Sequence, residues 1–402
     1  MRIFEVGTGY TSIPADKGAA TEIVVENLAR SLIRLGHDVT IFDIADSRRL
    51  PTDLPIHEVR IPGPLSFTDE SLGIKHKLKR VLYSLALSRS LSSALREMSE
   101  GERVVIHFHN QYNAYFFFRL IRPSLRRRAF VVYTNHSYIW HDAWEDIRDT
   151  VKSRYFQEVR AMQESDLCFV LNDPTFETLS GPLRIPADHI ARIANGVDIR
   201  SYRPLASTEI ETIKDGLGLN GKRVIIQVGS ICERKNQLGA FELLAPFLKE
   251  NDDLVYLFVG GVIDEEYKTK LLARAAEEGV ESQVIYGGEI APGEQLNRYY
   301  NVAEAMLFPA ISEAFGLVII EAMAAGVPAI VPSQLNVNLQ GYVEFANEDE
   351  FRQLFASRIL DPAERDHLAA LARETSESTY SWDAVAQDYA SAILDRMVDD
   401  SE

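Results

Sequence analysis

The feature that most constrains this chain is an alternation of short β-rich runs with longer stretches of helical periodicity. In the first 200 residues the β-rich runs are Arg2–Val6, Asp38–Ile44, 103–107, 130–134 and 167–171. The clearest intervening helix spans 20–35, and Gly36 follows it where a C-terminal cap belongs. Strands that alternate with helices in this way predict βαβ units and a parallel sheet.

The same alternation begins again after the turn dipeptide Asn195-Gly196 and Pro204. The second set of β-rich runs is Arg223–Val228, Leu254–Val259, 283–286, 305–308 and 329–331. The 402 residues therefore predict two α/β domains, over 1–200 and 201–380, with the linker near 195–204. A last helix over 381–402 begins at Ser381, and Val385, Tyr389 and Ile393 recur along it at helical spacing.

Composition and charge exclude several classes of protein. The net charge is −17, and almost all of it lies in the second half of the chain, which argues against general nucleic-acid binding. We find no apolar run of the roughly 20 residues that a membrane span requires, nor a signal peptide, so we expect a cytoplasmic protein. The two cysteines, Cys168 and Cys232, fall in different halves, which makes a disulfide framework or a thiolate metal site improbable.

One apolar helix carries a carboxylate. From Leu317 to Ala325 every residue is apolar except Glu321, so the helix is expected to be buried. A buried carboxylate is costly unless something binds it, and two partners are open: the hydroxyls of a ribose, or a buried Arg or Lys. Gly316 permits close backbone approach, so the first helical turn can form an anion site, with Glu313 just before it.

A pair of adjacent cations follows the first strand of the second half. Arg234 and Lys235 lie in the loop 229–237, between a strand and a helix. In an open α/β sheet, ligands bind beyond the carboxyl ends of the strands, so these cations are placed to offset a diphosphate. A solvated charged loop is the alternative.

These residues resemble family 4 of the glycosyltransferases, which are retaining enzymes of the GT-B fold. The resemblance is carried by SEAFGLVIIEAMAAGVPAIVP, with Glu313 and Glu321 spaced as E-x7-E, and by VGSICERKN, ANGVD and KGAATEIVVENLARSLIRLGHDV. It covers nearly the whole chain. It implies an α/β architecture of two Rossmann-like domains that face each other across a donor-binding cleft, with the last helix crossing back to the N-terminal domain.

The resemblance also implies roles for individual residues. Glu313 would contact the donor sugar, Glu321 the ribose, and Arg234 with Lys235 the diphosphate, while His136 would lie near the reacting sugar. The other expected donor-binding residues are Gly18, Gly229, Ser230, Phe315, Gly316 and Leu317. Those expected on the acceptor side are His109, Asn110 and Tyr138. The chain departs from the family where a Gly-Gly-x-Pro-Glu turn is usual, because residues 333–340 read SQLNVNLQ.

The implied reaction moves a sugar from a nucleotide-diphosphate sugar, with UDP favoured and GDP possible, to a hydroxyl of a glycan, lipid or small molecule. The leaving phosphate can itself receive the acceptor proton on the same face, so the protein supplies position and charge. The chain contains no Asp-x-Asp, and we expect neither a metal nor another cofactor.

Four other interpretations are weaker. Gly7-Thr8-Gly9 hints at a dinucleotide oxidoreductase but lacks the third fingerprint glycine. A nucleotide-sugar epimerase or a phosphorylase could share the scaffold. His107 and His109 could hold zinc, although lining histidines are the preferred interpretation. The basic segments 75–83 and 122–128 could bind a membrane surface, or belong to helices packed on the N-terminal domain.

Overall fold

A computed structural model describes residues 1–14, 20–62, 74–313, 315–335, 337 and 339–399. The chain forms two compact units. Unit 1 comprises Met1–Asn195 together with the segment that begins at Trp382, and unit 2 comprises Gly196–Ser381. The first division lies inside the interval 195–204 that the turn and the proline indicate as a linker.

The elements follow in chain order. Unit 1 begins with β1 (Arg2–Val6), α1 (Ala20–Arg34), β2 (Asp38–Ile44), β3 (Ile56–Val59), α2 (Ile74–Glu97), β4 (Val104–Phe108), α3 (Gln111–Leu120), α4 (Pro123–Arg126), β5 (Ala129–Thr134), α5 (Trp144–Arg154), α6 (Phe156–Glu164), β6 (Leu167–Val170), α7 (Asp173–Ser180) and β7 (Ile190–Arg192). Unit 2 contains α8 (Ser207–Gly216), β8 (Arg223–Val228), α9 (Gln237–Glu250), β9 (Leu254–Val259), α10 (Glu265–Glu277), β10 (Val284–Tyr286), α11 (Glu294–Asn301), β11 (Ala305–Leu307), α12 (Leu317–Ala324), β12 (Ala329–Pro332), β13 (Val343–Phe345), α13 (Glu348–Leu354) and α14 (Pro362–Thr375). The last helix, α15 (Trp382–Asp399), belongs to unit 1.

Each unit is built on one parallel sheet. Within the described residues, unit 1 has a seven-stranded sheet in the order β3-β2-β1-β4-β5-β6-β7, and unit 2 a six-stranded sheet in the order β10-β9-β8-β11-β12-β13. The central strands are buried along their whole length, as in β5 and β9, because helices cover both faces of a parallel sheet. The predicted α/β class with two parallel-sheet domains is confirmed.

The sequence pattern located the central strands and missed three short ones. The strands β3, β7 and β13 each contain only three or four residues and lie at the edges of their sheets. An edge strand is covered less completely, so β3 reads Ile-His-Glu-Val with two exposed residues. Such a run has no continuous apolar stretch from which a strand could be predicted.

Helix α15 crosses back to unit 1 and packs on α1. The residues at helical spacing, Val385, Tyr389 and Ile393, are all buried, as the periodicity predicts. An ion pair between Arg34 and Asp383, with the Nε–Oδ1 distance at 3.0 Å, ties the start of α15 to the end of α1. No helix among the described residues is both long and apolar enough to traverse a lipid bilayer.

We expect α15 to stabilise unit 1 through its buried face. Ile393→Ala should lower the free energy of unfolding by about 2–5 kcal/mol, because it leaves a cavity beneath the helix. The adjacent Leu394 is exposed, so Leu394→Ala should change it by less than about 0.5 kcal/mol. Chemical denaturation of the two full-length variants measures the difference, and equal destabilisation would contradict this packing. Ending the chain at Tyr380 should destabilise unit 1 further.

Candidate functional site

Two loops of unit 2 converge because their strands are neighbours. Strand β8 pairs in parallel with β11, so the loops that follow them leave the same edge of the sheet. The backbone N–H of Ile311 donates to the carbonyl oxygen of Arg234 at 2.9 Å. The side-chain amide of Asn236 donates to the carbonyl oxygen of Pro309 at 3.0 Å. The loop 229–236 is therefore fastened to the loop after β11.

Asn236 sets the path of the first loop. Its backbone is left-handed, with φ 56° and ψ 45°, a conformation that asparagine adopts more readily than most residues. Its side-chain oxygen also caps α9 by accepting from the N–H of Gly239 at 3.2 Å. This turn follows directly on the short 3-10 helix Glu233–Lys235, which carries both predicted cations.

The two cations meet one carboxylate. Lys235 Nζ bonds to Oε2 of Glu313, and Arg234 Nη1 lies 3.5 Å from the same oxygen. Arg234 also donates to the carbonyl oxygen of Ser312 at 2.9 Å, and Lys235 lies over the ring of Phe308. Two cations thus meet one carboxylate at this point of the loop. Such a cluster suits a phosphate group.

The start of α12 presents backbone amides beside this cluster. Gly316 precedes the helix at φ 83°, and a Cβ there would lie 2.7 Å from Ile319 Cδ1, so the position requires glycine. No side chain of the described residues caps this first turn. Binding of an anion by the amides of Phe315, Gly316 and Leu317 is compatible with this uncapped turn and stays a prediction.

Glu321 lies in α12 and is partly buried. Tyr300 OH donates to Glu321 Oε2 at 3.0 Å, and Tyr202 also bonds the carboxyl group. Burial raises the pKa of Glu321 to about 7, although the bonds from Tyr300 and Tyr202 oppose the rise. Of the two partners left open by the sequence, a buried Arg or Lys is excluded within the described residues, since two tyrosines hold the carboxyl group.

Gly229 and Ser230 belong to the same loop. Gly229 has φ 152°, and a Cβ there would be in ordinary van der Waals contact with the stem of Lys235, at 3.4 Å. The carbonyl oxygen of Ser230 accepts from Gln237 Nε2 at 3.0 Å. Both residues thus support the loop that carries the cations, and their contact with a donor stays a prediction.

In unit 1 the predicted His136 lies after β5 and His109 directly after β4. His109 Nδ1 and His136 Nε2 are 3.0 Å apart, and His109 Nε2 is 3.0 Å from Oε2 of the buried Glu5. Glu5, His107 and His109 have ligand atoms within 4.8 Å of one another, close enough for a metal ion. Hydrogen bonds to other side chains already engage all four ring nitrogens of His107 and His109, so we interpret the cluster as a hydrogen-bonded network. The expectation of no metal and no cofactor stays a prediction.

The remaining predicted residues are placed as follows. Asn110 caps α3 by accepting from Tyr112 N at 3.0 Å, and its amide donates to Tyr10 OH at 3.1 Å. Tyr138 begins a 3-10 helix, Tyr138–His141, and its side chain is not described. Gly18 lies outside the described residues.

The glycines after β1 pack closely against side chains of unit 1. A Cβ on Gly7 would lie 2.4 Å from Asp43 Oδ1, and one on Gly9 would lie 2.2 Å from the ring of Tyr83. Side chains of unit 1 thus pack against both glycines on the side where a Cβ would point. The carboxyl group of Asp43 also accepts a hydrogen bond from Arg49 Nη1 at 2.7 Å. These contacts give no support to the oxidoreductase interpretation.

Several cations of the two basic segments point into unit 1. Lys79 is buried and donates to the carbonyl oxygen of Tyr10, and Arg80 stacks on the ring of Tyr112 at 3.9 Å. Arg126 and Arg128 likewise bond backbone carbonyl oxygens. These contacts favour packed helices over a membrane-binding surface.

Comparisons with known proteins agree with this architecture. Residues 21–201 match the family model described as Glycosyltransferase Family 4, and residues 209–374 match the model described as Glycosyl transferases group 1. The two models together cover most of the chain, so the chain belongs to the family 4 glycosyltransferases. The resemblance inferred from the motifs is confirmed.

Relatives and a solved structure extend over nearly the full length. Spore coat protein SA of Bacillus subtilis (strain 168) is 20% identical over 97% of this chain and 98% of its own. Alpha-monoglucosyldiacylglycerol synthase of Acholeplasma laidlawii is 23% identical over 82% of this chain and 80% of its own. The structure of Anabaena Alr3699/HepE in complex with UDP and glucose superposes with a TM-score of 0.67 and 16% identity, over 98% of this chain and 100% of that one. The fold is GT-B.

Sequence reasoning missed several groups that complete these sites. Tyr202 and Tyr300 hold Glu321, and Glu5 joins the two histidines after it in the network. Glu5 could have been found, because a glutamate within the apolar run of β1 needs a binding partner for its carboxylate, as Glu321 in α12 does. The tyrosines gave no such signal, since Tyr300 is an ordinary aromatic residue of a helix and Tyr202 lies in a segment between elements.

We expect the cations of unit 2 to act on the leaving diphosphate. Arg234→Ala and Lys235→Ala should each lower turnover about 10²-fold or more, the effect of removing one group that stabilises developing charge. Arg274→Ala is the matched control, since that side chain is 44% exposed against 42% for Arg234 and also pairs with glutamates. Steady-state kinetics of the folded variants test this, and near-normal turnover in both site variants would remove these cations from the site.

Glu321 should make donor affinity depend on pH. Its pKa of about 7 means that the carboxylate, the better acceptor for ribose hydroxyls, is lost as pH falls through neutrality. UDP-glucose should therefore bind roughly tenfold more weakly at about pH 6 than at about pH 8. Its diphosphate is esterified at both ends and does not titrate in this interval. Calorimetry should show this slope in the wild type and not in Glu321→Gln; equal slopes would contradict the assignment.

Proposed function

We propose that this glycosyltransferase is a retaining, metal-independent enzyme that takes its sugar from a nucleotide-diphosphate sugar, with a UDP-sugar favoured and a GDP-sugar possible. The observation that carries the proposal is the convergence of Arg234, Lys235 and Glu313 on the uncapped start of α12, with Glu321 further along the same helix. A diphosphate would lie against the cations and the amides, and the ribose would reach Glu321.

The distances along α12 fit this arrangement. From Gly316 to Glu321 is five residues, or roughly 7.5 Å of helical rise, which matches the step from a phosphate to a ribose. The buried hydroxyl of Ser312 has no hydrogen-bond partner among the described residues, so the same loop holds a polar atom that a ligand could satisfy. The solved structure of Anabaena HepE is a complex with UDP and glucose, which supports UDP as the first nucleotide to test.

The chemistry follows from the charges. Lys235 and Arg234 neutralise Glu313, so the proposed role of the site is to stabilise the departing diphosphate without supplying a carboxylate nucleophile. The acceptor attacks on the face from which the phosphate leaves, and a phosphate oxygen takes its proton. The anomeric configuration is thereby retained. The sugar is proposed to be a hexose or an N-acetylhexosamine.

The acceptor is proposed to be a hydroxyl of a glycan, a lipid or a small molecule. The name of the Acholeplasma relative describes a synthase of a glycosylated diacylglycerol, which supports a lipid among these. The inward-pointing cations described above give no support to a separate membrane-surface function. Nor does any contact of the described residues favour an epimerase or a phosphorylase.

A ligand screen followed by product analysis tests the proposal. One nucleotide-diphosphate sugar among the UDP, GDP and ADP series should raise the melting temperature, because binding stabilises the folded state. With that donor labelled in its sugar, the label should pass to an added acceptor with its anomeric configuration retained. A label that stays on the nucleotide in a changed configuration would indicate an epimerase, and stabilisation by none of the sugars would contradict the donor assignment.

A further inference from the structure

A continuous chain of polar side chains runs through the core of unit 1, where a parallel sheet is otherwise apolar. Its contacts, in order, are His136 Nε2 with His109 Nδ1 at 3.0 Å, His109 Nε2 with Glu5 Oε2 at 3.0 Å, Glu5 Oε1 with His107 Nδ1 at 3.1 Å, His107 Nε2 with Thr134 Oγ1 at 2.7 Å, and Thr134 Oγ1 with Tyr389 OH at 3.4 Å. The chain begins at the residue expected near the reacting sugar and ends on α15.

Glu5 determines which way these hydrogen bonds point. Burial alone would raise the pKa of this carboxyl group, but attraction and hydrogen bonds from His107 and His109 outweigh burial and lower the pKa to about 2. An ionised carboxylate can only accept hydrogen bonds. Both histidines must therefore donate to it, His107 through Nδ1–H and His109 through Nε2–H.

The proton position on His109 determines the direction of its hydrogen bond with His136. Burial and the neighbouring His107 lower the pKa of His109 to about 4, so its ring is neutral at pH 7 and carries one proton. That proton is on Nε2, which leaves Nδ1 as an acceptor. His136 must donate to it through Nε2–H. Burial also lowers the pKa of His136, so its ring is neutral as well and its Nδ1 carries a lone pair.

We propose that Glu5 is a positioning residue for His136. Acting through His109, it holds His136 in the Nε2–H tautomer, and so presents the Nδ1 lone pair as an acceptor for a hydroxyl group of the bound sugar. This inference rests on the proposed function and on the family resemblance, which implies that His136 lies near the reacting sugar. A buried carboxylate that orients a histidine through one nitrogen and thereby sets the role of the other is an established way to fix a tautomer.

The geometry supports this role in two ways. His136 is only half-buried, while His109, His107 and Glu5 are fully covered, so the network opens outward at one ring. Among the described residues, the His136 ring is hydrogen-bonded through Nε2 to His109, and this contact leaves its Nδ1 edge for a ligand.

The tautomers can be measured in the wild type without any substrate. Nitrogen-15 spectra of the full-length protein, labelled at its nine histidines and assigned with His109→Gln and His136→Gln, distinguish the two neutral tautomers. We expect His109 and His136 both to carry the proton on Nε2 at about pH 7. A protonated Nδ1 on His136, in either the other tautomer or the imidazolium, would overturn the inference. This result does not depend on whether a donor has been found.

Substitution then tests whether the tautomer matters for transfer. Glu5→Met keeps the length of the side chain and removes both acceptor oxygens, so both tautomers of His136 should become populated and kcat should fall about tenfold or more. The KM for the nucleotide sugar should change less than about twofold, because the nucleotide is assigned to unit 2. Thr134→Val is the matched control: it alters the same network on the His107 side, and His136 should keep its tautomer.

These experiments distinguish a failure of the proposed function from a failure of the positioning role of Glu5. If no nucleotide sugar is transferred, the proposed function fails while the wild-type spectra still decide the tautomer. If transfer occurs and Glu5→Met keeps the wild-type kcat with His136 in mixed tautomers, the positioning role is wrong. If Glu5→Met does not fold, the wild-type spectra remain the deciding measurement.

Discussion

Parallel pairing of the strands is the constraint on which both candidate sites depend. Every strand pair in both sheets of the described structure is parallel, so all carboxyl ends in a unit lie at one edge and the loops that follow them are neighbours. In unit 2 this brings the loop after β8 against the loop after β11. In unit 1 it brings the ends of β4 and β5 together. Residues that are far apart in sequence therefore come into contact at this edge of the sheet.

The two units place different kinds of polar group at these edges of their sheets. Unit 2 gathers fixed charges, with two cations against the carboxylate of Glu313, and leaves helical amides uncapped nearby. In unit 1 the buried carboxylate of Glu5 instead gives direction, through its hydrogen bonds, to the neutral rings of His109 and His136. Charge offsets a leaving anion, whereas an oriented neutral ring can accept from a hydroxyl. A sugar transfer can use both kinds of group, the first for the leaving diphosphate and the second for a sugar hydroxyl.

Much of this could be predicted from sequence, and the limits have physical causes. The central strands were recognisable because an element that is buried on all sides has a continuous apolar sequence. The carboxylate in α12 was recognisable because it is the one polar residue within such a sequence. The short edge strands β3, β7 and β13 lack that run. The partners of Glu321 were not recognisable, since Tyr202 and Tyr300 come from segments that only the fold brings together. The same holds for Glu5 with His109, about a hundred residues apart.

Hydrogen–deuterium exchange of the full chain, with and without the nucleoside diphosphate that stabilises it, tests the central claim most directly. A diphosphate held by Arg234, Lys235 and the first turn of α12 should slow amide exchange over residues 229–236 and 315–321. Exchange in α13, which lies elsewhere in unit 2, should not change. Protection confined to other segments, with both loops unaffected, would contradict the account.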